Sequence, residues 1–190
     1  MRAGPEGLPG CVGTGGAVHL GEGRWLTVAH LVDGSSQVAR GCPSSLLPIR
    51  IAPGGPARLL RAGQFRTDPG AGQRYLGAED LALLAAPAPS AVATLCADPP
   101  RPRQAALLAT PRRQVMTRID RLAGEHDPRF GTYVEVPLAL EPGDSGGALF
   151  DVATGCLAGL VSHREEDGGP PRARLVPAAV IRRFVTGVGG

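Results

Sequence analysis

Apolar residues in this chain occur in short runs that glycine, proline and aspartate interrupt at frequent intervals. The chain has 28 Gly and 19 Pro among 190 residues, and both residue types disfavour long helices. Two apolar runs, 17–20 and 24–28, flank Gly21-Glu22-Gly23 and predict a β-hairpin. Further apolar runs predict more strands, at 46–51, 57–61, 81–84, 105–109, 114–119 and 132–136. This pattern favours many short strands over a helical fold.

One segment near the end of the chain has helical spacing instead. From Pro177 onward, apolar residues recur on one face while Arg182 and Arg183 lie on the other. Strands in two groups followed by a short helix predict an all-β fold of two β-barrels within a single domain, 1–190. We expect the first barrel over about 8–90 and the second over about 103–187, because Pro-rich stretches at 87–89 and 99–102 read as a linker.

Charge and hydropathy argue against two classes of partner. All 20 basic residues are arginine, the net charge is only +3, and no aromatic residues are interleaved with the arginines. We therefore expect no nucleic-acid surface, and we interpret Arg112-Arg113 and Arg182-Arg183 as solvated faces. No apolar segment has the roughly 18 residues of a membrane span. The first residues lack the apolar core of a signal peptide, which predicts a cytoplasmic protein.

The four cysteines, at positions 11, 42, 96 and 156, are far apart in sequence. They show neither Cys-x-x-Cys nor Cys/His spacing, so we expect no metal site. In a protein without a secretion signal, buried free thiols are the expected state of such cysteines.

The run 143–147, Gly-Asp-Ser-Gly-Gly, describes a nucleophilic serine in suitable surroundings. Glycines on both sides permit a tight turn and bring backbone N–H groups close to a reacting carbonyl. A serine hydroxyl needs a histidine base and a carboxylate to become nucleophilic. Both occur upstream, because His30 ends an apolar run and Asp80 precedes another. The order His30, Asp80, Ser145 is that of chymotrypsin-like proteases and differs from subtilisins and α/β-hydrolases.

At these residues the chain resembles the trypsin-like (chymotrypsin-fold) serine proteases, and among them the compact bacterial forms, including the high-temperature-requirement type. Four blocks in the family's order carry the resemblance, and they lie at 13–30, 80–84, 142–149 and 159–177. The resemblance implies two perpendicular six-stranded β-barrels with the active site between them. It implies an endopeptidase that cleaves protein or peptide substrates through an acyl-enzyme, without metal or cofactor.

The resemblance also implies individual roles. Ser145 would attack the scissile carbonyl, His30 would transfer the proton, and Asp80 would orient the imidazole. Backbone N–H groups of Gly143 and Ser145 would form the oxyanion hole. Ser162 would lie beside Asp80 or offer its carbonyl to an extended substrate, which would pair with the strand at 161–163.

Departures from the family pattern concern activation and specificity. Asp144 is predicted to be satisfied internally, so that no zymogen cleavage is needed. The pocket-floor position is Ala139 rather than an acid, which favours a small or medium apolar residue before the cut. His163-Arg164 stands where digestive enzymes have an aromatic residue and a glycine, which predicts a narrowed substrate pocket. The sequence leaves open a partner protein or a larger multi-protein system.

Two other interpretations stay open at this point. The same run fits Gly-x-Ser-x-Gly, the nucleophile elbow of esterases, which would require His163 with Asp151 or Asp167 and alternating strands and helices. Alternatively, the chain is a catalytically weak or inactive module that keeps a protease fold for binding or scaffolding.

Overall fold

The structure is a computed structural model that describes residues 1–5, 8–32, 42, 48–52, 55–63, 66–68, 74–76, 79–87, 91–123, 133–165 and 169–187. Strands of the first half are β1 (Arg2–Ala3), β2 (Gly13–Thr14), β3 (Val18–Gly21), β4 (Arg24–Thr27), β5 (Ile49–Ile51), β6 (Gly55–Ala62), β7 (Arg66–Asp68), β8 (Arg74–Leu76) and β9 (Ala82–Ala85). Strands of the second half are β10 (Ala105–Ala109), β11 (Gln114–Arg118), β12 (Arg121–Ala123), β13 (Tyr133–Val136), β14 (Ala148–Asp151), β15 (Leu157–Glu165) and β16 (Arg172–Pro177). One α-helix, α1 (Ala178–Thr186), ends the described chain, and 3-10 turns lie at Pro9–Cys11 and Ala29–Leu31.

The strands form two curled antiparallel sheets, one from each half of the chain. Their strand orders are β2-β1-β5-β6-β9-β4-β3 and β11-β10-β14-β15-β16-β13-β12, and β7 and β8 pair separately. The predicted all-β fold with a final helix is confirmed, and so is the hairpin, in which Val18 pairs with Leu26. The esterase interpretation fails, because its fold requires helices that alternate with strands.

The strand count differs slightly from the prediction of six per barrel, because each sheet has seven strands within the described residues. Very short strands contribute to the difference, since β2 and β12 are edge strands of two and three residues. β1 has only two residues and pairs with both β2 and β5. A segment of two or three residues is too short to show the alternation by which a strand is recognised in sequence.

Two hydrophobic cores lie inside the sheets, and the second half contributes to both. The first core includes Leu26 and Leu83 together with Ile181 and Phe184 from α1. The second is built from the second sheet around Leu108 and Leu149. Helix α1 directly follows β16 of the second sheet but buries its apolar face in the first core. It therefore packs the two sheets against each other. None of the described helices is long and apolar enough to cross a membrane.

The cysteines are disulfide-bonded, so the prediction of free thiols is wrong. Cys11 bonds Cys42, and Cys96 bonds Cys156. The paired residues are 31 and 60 positions apart in sequence, and pairings at such separations cannot be deduced from sequence alone. The second disulfide attaches the segment between the sheets to the second sheet, where Cys96 N–H also donates to the Leu157 carbonyl at 3.0 Å.

The double variant Cys96→Ala/Cys156→Ala should lose about 4 kcal/mol of unfolding free energy, because a loop of this length gains considerable entropy in the unfolded chain when the cross-link is absent. Urea unfolding under non-reducing conditions measures the loss. Equal stability of the variant and the wild type would show that this cross-link does not constrain the unfolded chain.

Candidate active site

His30 and Asp80 meet because two neighbouring antiparallel strands bring them together. Thr27, at the end of β4, pairs with Ala82, at the start of β9. The chain beyond Thr27 and the chain before Ala82 therefore lie at the same edge of the sheet. His30 Nδ1 is 2.9 Å from Asp80 Oδ2, and the backbone N–H of His30 donates to Asp80 Oδ1 at 3.1 Å. A carboxylate only accepts hydrogen bonds, so Nδ1 carries the proton and Nε2 is left as the basic nitrogen.

Asp80 is fully buried and yet remains charged. Burial raises its pKa, but the charge of His30 and the hydrogen bonds from His30 and Ser162 together outweigh this effect and lower the pKa below its usual value. An ionised carboxylate at this place stabilises a positive charge on the imidazole of His30. The pair has the electrostatics required of a general base and its orienting acid.

Ser145 lies in the second of two consecutive tight turns, 141–144 and 144–147. Asp144 N–H donates to the Glu141 carbonyl at 3.0 Å, and Gly147 N–H donates to the Asp144 carbonyl at 3.0 Å. The third residue of each turn is a glycine with positive φ, +97° at Gly143 and +74° at Gly146. These angles are disfavoured for residues with a side chain, which explains why the sequence has glycine at both positions.

The turn that contains Ser145 packs directly on the backbone of the first half of the chain. Gly16 N–H donates to the Ser145 carbonyl at 2.8 Å, and a Cβ atom on Gly146 would lie 2.3 Å from the Gly16 carbonyl oxygen. Thr27 Oγ1 donates to that same carbonyl at 2.7 Å. The two halves approach this closely only because glycines occupy the contact, and the approach brings Ser145 to the side of the molecule that carries His30.

Ser162 connects the serine with the acid. Its hydroxyl donates to Asp80 Oδ2 at 2.5 Å, and its backbone carbonyl accepts from Ser145 Oγ at 3.5 Å. Ser162 lies in β15. The carbonyl of the preceding residue, Val161, accepts a hydrogen bond from Gly146 N–H at 2.8 Å. The structure thus gathers His30, Asp80 and Ser145 around one residue, and it puts Ser162 beside Asp80 as the resemblance implied.

Asp144 is paired within the chain, as predicted, through one of its two carboxylate oxygens. Its partner is a residue that the sequence analysis assigned to solvent. The buried Asp144 carboxylate accepts from Arg113 Nη2 at 2.9 Å and from the Glu141 N–H at 3.0 Å. The interpretation as a solvated face is therefore wrong for Arg113, which neutralises a buried acid. Arg112 is exposed, as expected, and it also binds the Pro142 carbonyl at 3.1 Å. A buried acid requires a cation nearby, but only the fold shows which of the scattered arginines supplies it.

The residues expected to bind substrate occupy different environments. Arg164 is exposed, and Ala139 is exposed with its carbonyl bonded to Arg113 Nη2 at 2.6 Å. His163, in contrast, is only 7% exposed. Its Nδ1 lies 3.0 Å from Ser162 Oγ, and its ring packs edge-on against Tyr133. The His163 side chain therefore contacts Ser162 from the protein interior and does not line an open cleft.

His163 is kept neutral by its surroundings. Burial is the main reason that its pKa falls to about 3, and the charges of Arg174 and His30 lower it further while Asp80 opposes them. Because the Ser162 hydroxyl gives its proton to Asp80, His163 Nδ1 must be the donor to Ser162 Oγ. The resulting chain of hydrogen bonds runs from His163 through Ser162 to Asp80.

No group of three or more His, Cys, Asp or Glu side chains that could hold a metal ion occurs in the described ranges. The polar groups near Ser162 are instead the Asp80 carboxylate, the imidazoles of His30 and His163, and the Ser145 hydroxyl. Such a set has the residue types that proton transfer from a serine hydroxyl to an imidazole requires.

Comparison with known proteins agrees with this geometry. The pattern of the trypsin-like peptidase domain matches residues 13–160, and the chain belongs to this family. No curated protein sequence matches the chain. The fold is similar to the active form of the Rv3671c protease from M. tuberculosis, with a TM-score of 0.68 at 21% identity over 100% of this chain and 79% of that chain.

A second similar structure is the HtrA-type protease AlgW with a decapeptide, with a TM-score of 0.62 at 23% identity. The match covers 92% of this chain but only 51% of AlgW, so this chain spans about half the length of that protein. At these identities the two structures show a common fold. The family membership and the fold together make this a trypsin-like, protease-type domain.

Gly146→Ala should destabilise the protein far more than Gly155→Ala. Both glycines have similar positive φ, +74° and +71°, so each variant incurs the left-handed backbone cost of about 1–2 kcal/mol. Only at Gly146 would the new methyl group collide with Gly16, since nothing lies within 4 Å at Gly155. We expect an additional loss of about 2 kcal/mol or more at Gly146, measured by urea unfolding. Equal losses would mean that the two halves do not depend on this close approach.

Acid should destabilise the wild type more than the variant His163→Asn. The unfolded chain takes up a proton at a histidine pKa of about 6.5, whereas folded His163 remains neutral down to about pH 3. The unfolded state therefore binds more protons, and the stability present above pH 6.5 declines as the pH falls below it. Asparagine keeps an N–H for Ser162 without titrating.

The comparison requires urea unfolding of both proteins at pH 7.5 and pH 4.5. Wild type should lose about 3 kcal/mol more than His163→Asn over this interval. Parallel losses in the two proteins would show that His163 titrates normally in the folded state.

Proposed function

We propose that this protein is a serine endopeptidase that hydrolyses peptide bonds through an acyl-enzyme intermediate. The observation that carries the proposal is the position of Ser162. Its hydroxyl is bonded to Asp80, which in turn holds His30, while its carbonyl is bonded to Ser145 Oγ. These contacts support the proposal, because a single residue, Ser162, bonds both the proposed nucleophile and the acid that holds the proposed base.

In the proposed reaction, Ser145 Oγ attacks the scissile carbonyl as its proton passes to His30 Nε2. The C–O bond of the tetrahedral intermediate forms, and the carbonyl oxygen becomes an oxyanion bound by the Gly143 and Ser145 N–H groups. His30 then gives the proton to the leaving amine as the C–N bond breaks. Water repeats the sequence on the acyl-enzyme and releases the carboxylic acid, with Asp80 ionised throughout.

Substrate would bind as an extended chain along β15, so that Ser162 and Arg164 lie beside the residues that precede the cut. Ala139 offers no charge at the expected floor of the pocket, which favours a small or medium apolar residue. The geometry of His163 supports a role behind Ser162 and no direct contact with substrate. The substrate class is protein or peptide, as expected for the family.

The disulfides bear on the location of the domain, and the Arg113–Asp144 ion pair bears on its activation. Two disulfides are typical of an oxidising compartment, so we propose that the domain works outside the cytoplasm, in place of the cytoplasmic location expected at first.

Arg113 supplies the cation for Asp144 from within the second sheet's own hairpin. The site therefore needs no newly cut chain terminus to become competent.

Ser145→Ala and Asp80→Asn test the proposal. Peptide-library cleavage should disappear for Ser145→Ala and fall by about 10⁴-fold in kcat for Asp80→Asn, the size of this effect in other serine proteases. A fluorophosphonate probe should label wild type at Ser145. Asp98→Asn is the matched control, because Asp98 is exposed in the segment between the sheets, and it should keep full activity.

Circular dichroism and thermal unfolding establish that each variant is folded. If folded wild type is neither labelled nor able to cleave any library peptide beyond Ser145→Ala, the protein is no protease. A non-catalytic module with a protease fold would then be the better assignment.

A further inference from the structure

We propose that Arg112 is a positioning residue that sets the direction of the Gly143 N–H, one of the two donors of the proposed oxyanion hole. The inference rests on the proposed function and adds to it a residue outside the family's triad and donor set. It starts from the contact between Arg112 Nη1 and the Pro142 carbonyl at 3.1 Å.

The Pro142 carbonyl and the Gly143 N–H belong to the same peptide unit. In a planar trans peptide the C=O and N–H bonds point in opposite directions. A donor that holds the carbonyl on one side therefore fixes the N–H on the other side. Arg112 acts on Gly143 without touching the N–H itself.

A four-residue turn can hold its central peptide unit in either of two orientations, those of type I and type II turns. Residues 141–144 form a turn closed by Asp144 N–H and the Glu141 carbonyl, with proline second and glycine third. The φ of +97° at Gly143 is that of a type II turn. In a type I turn of the same chain, φ at this position would be near −90° and the central peptide would face the other way. A contact to the Pro142 carbonyl stabilises one orientation over the other.

Arg112 is itself held in place for this contact. Its Nη2 lies 3.4 Å from Glu141 Oε2, and a Cβ atom on Gly143 would lie 3.8 Å from its Cδ. Its backbone N–H donates to Thr110 Oγ1 at 3.3 Å, within the turn of the β10–β11 hairpin. The neighbouring Arg113 binds Asp144 and the Ala139 carbonyl. The β10–β11 hairpin therefore contacts both ends of the turn 141–144.

Arg112 is well suited to this role because it is not needed for the core. Its side chain is 56% exposed, and removal of an exposed side chain usually changes stability little. Loss of its function should therefore appear in the chemical step and not in folding. Arg112→Met keeps much of the side-chain volume and removes the donors, whereas Arg112→Lys keeps one cationic donor.

The experiment compares wild type, Arg112→Met, Arg112→Lys and the matched control Arg118→Met, an exposed arginine on the same hairpin. The best library peptide serves as substrate, and its boronic acid serves as a tetrahedral transition-state analogue. For Arg112→Met we expect a fall of about tenfold in kcat, a part of the 10²–10³ lost when an oxyanion donor is removed outright. KM should change less than about twofold, since a transition-state contact alone is affected.

Binding of the boronic acid should weaken by about the same tenfold factor, because its tetrahedral adduct places an oxygen on the same donors. Arg112→Lys should recover part of the loss in kcat, and Arg118→Met should match wild type. Thermal midpoints of all four proteins should agree within about 2 °C.

Wild-type kcat and boronic acid affinity in Arg112→Met would overturn the inference and leave the proposed function intact. A lower kcat accompanied by an equal rise in KM, or by a lower thermal midpoint, would also overturn it, because the role would then be structural. If wild type itself neither cleaves nor binds the boronic acid while folded, the proposed function fails and this inference fails with it.

Discussion

The contact of Gly15-Gly16 with the turn 145–147 is the constraint on which the arrangement of the site depends. Here the two halves of the chain meet backbone to backbone, and Gly16 N–H bonds the Ser145 carbonyl at 2.8 Å. A Cβ atom at Gly15 would lie 2.3 Å from that same carbonyl oxygen. Side chains at this contact would push the sheets apart and move Ser145 away from His30. The reactive groups come from separate sheets, so their distance is determined by how closely those sheets pack.

Two buried carboxylates lie near the candidate nucleophile, and each has a different partner. Asp80 is balanced by His30 and Ser162, while Asp144 is balanced by Arg113. A charge taken out of water is tolerated only when such partners are present. The histidine is a titratable partner and can take part in proton transfer, whereas the guanidinium of Arg113 keeps its charge at any ordinary pH. One acid is thus suited to chemistry and the other to holding the turn.

The class of fold could be predicted from the sequence, and His30, Asp80 and Ser145 could be selected from it as candidates, because both steps depend on local signals. Short apolar runs predict strands, and the run 143–147 together with His30 and Asp80 indicates a nucleophile with its partners. Contacts between residues distant in sequence were not predictable. The disulfides, the ion pair of Arg113 with Asp144 and the inward orientation of His163 each join segments that only the folded topology brings together. A position on β15 does not reveal whether its side chain faces the cleft or the core when a bulge interrupts the ladder between Val161 and His163.

The turn around Ser145 is held by contacts that are not all favourable. Asp144 Oδ1 and Arg113 Nε are buried without a hydrogen-bond partner among the described atoms, and each such group costs about 1–3 kcal/mol. The same two side chains nevertheless bind the turn through Asp144 Oδ2 and Arg113 Nη2. Donors that are oriented before substrate arrives need no reorganisation during the reaction. The imperfect pairing is therefore consistent with a site in which the geometry of the serine turn, and not maximal stability, determines which contacts are made.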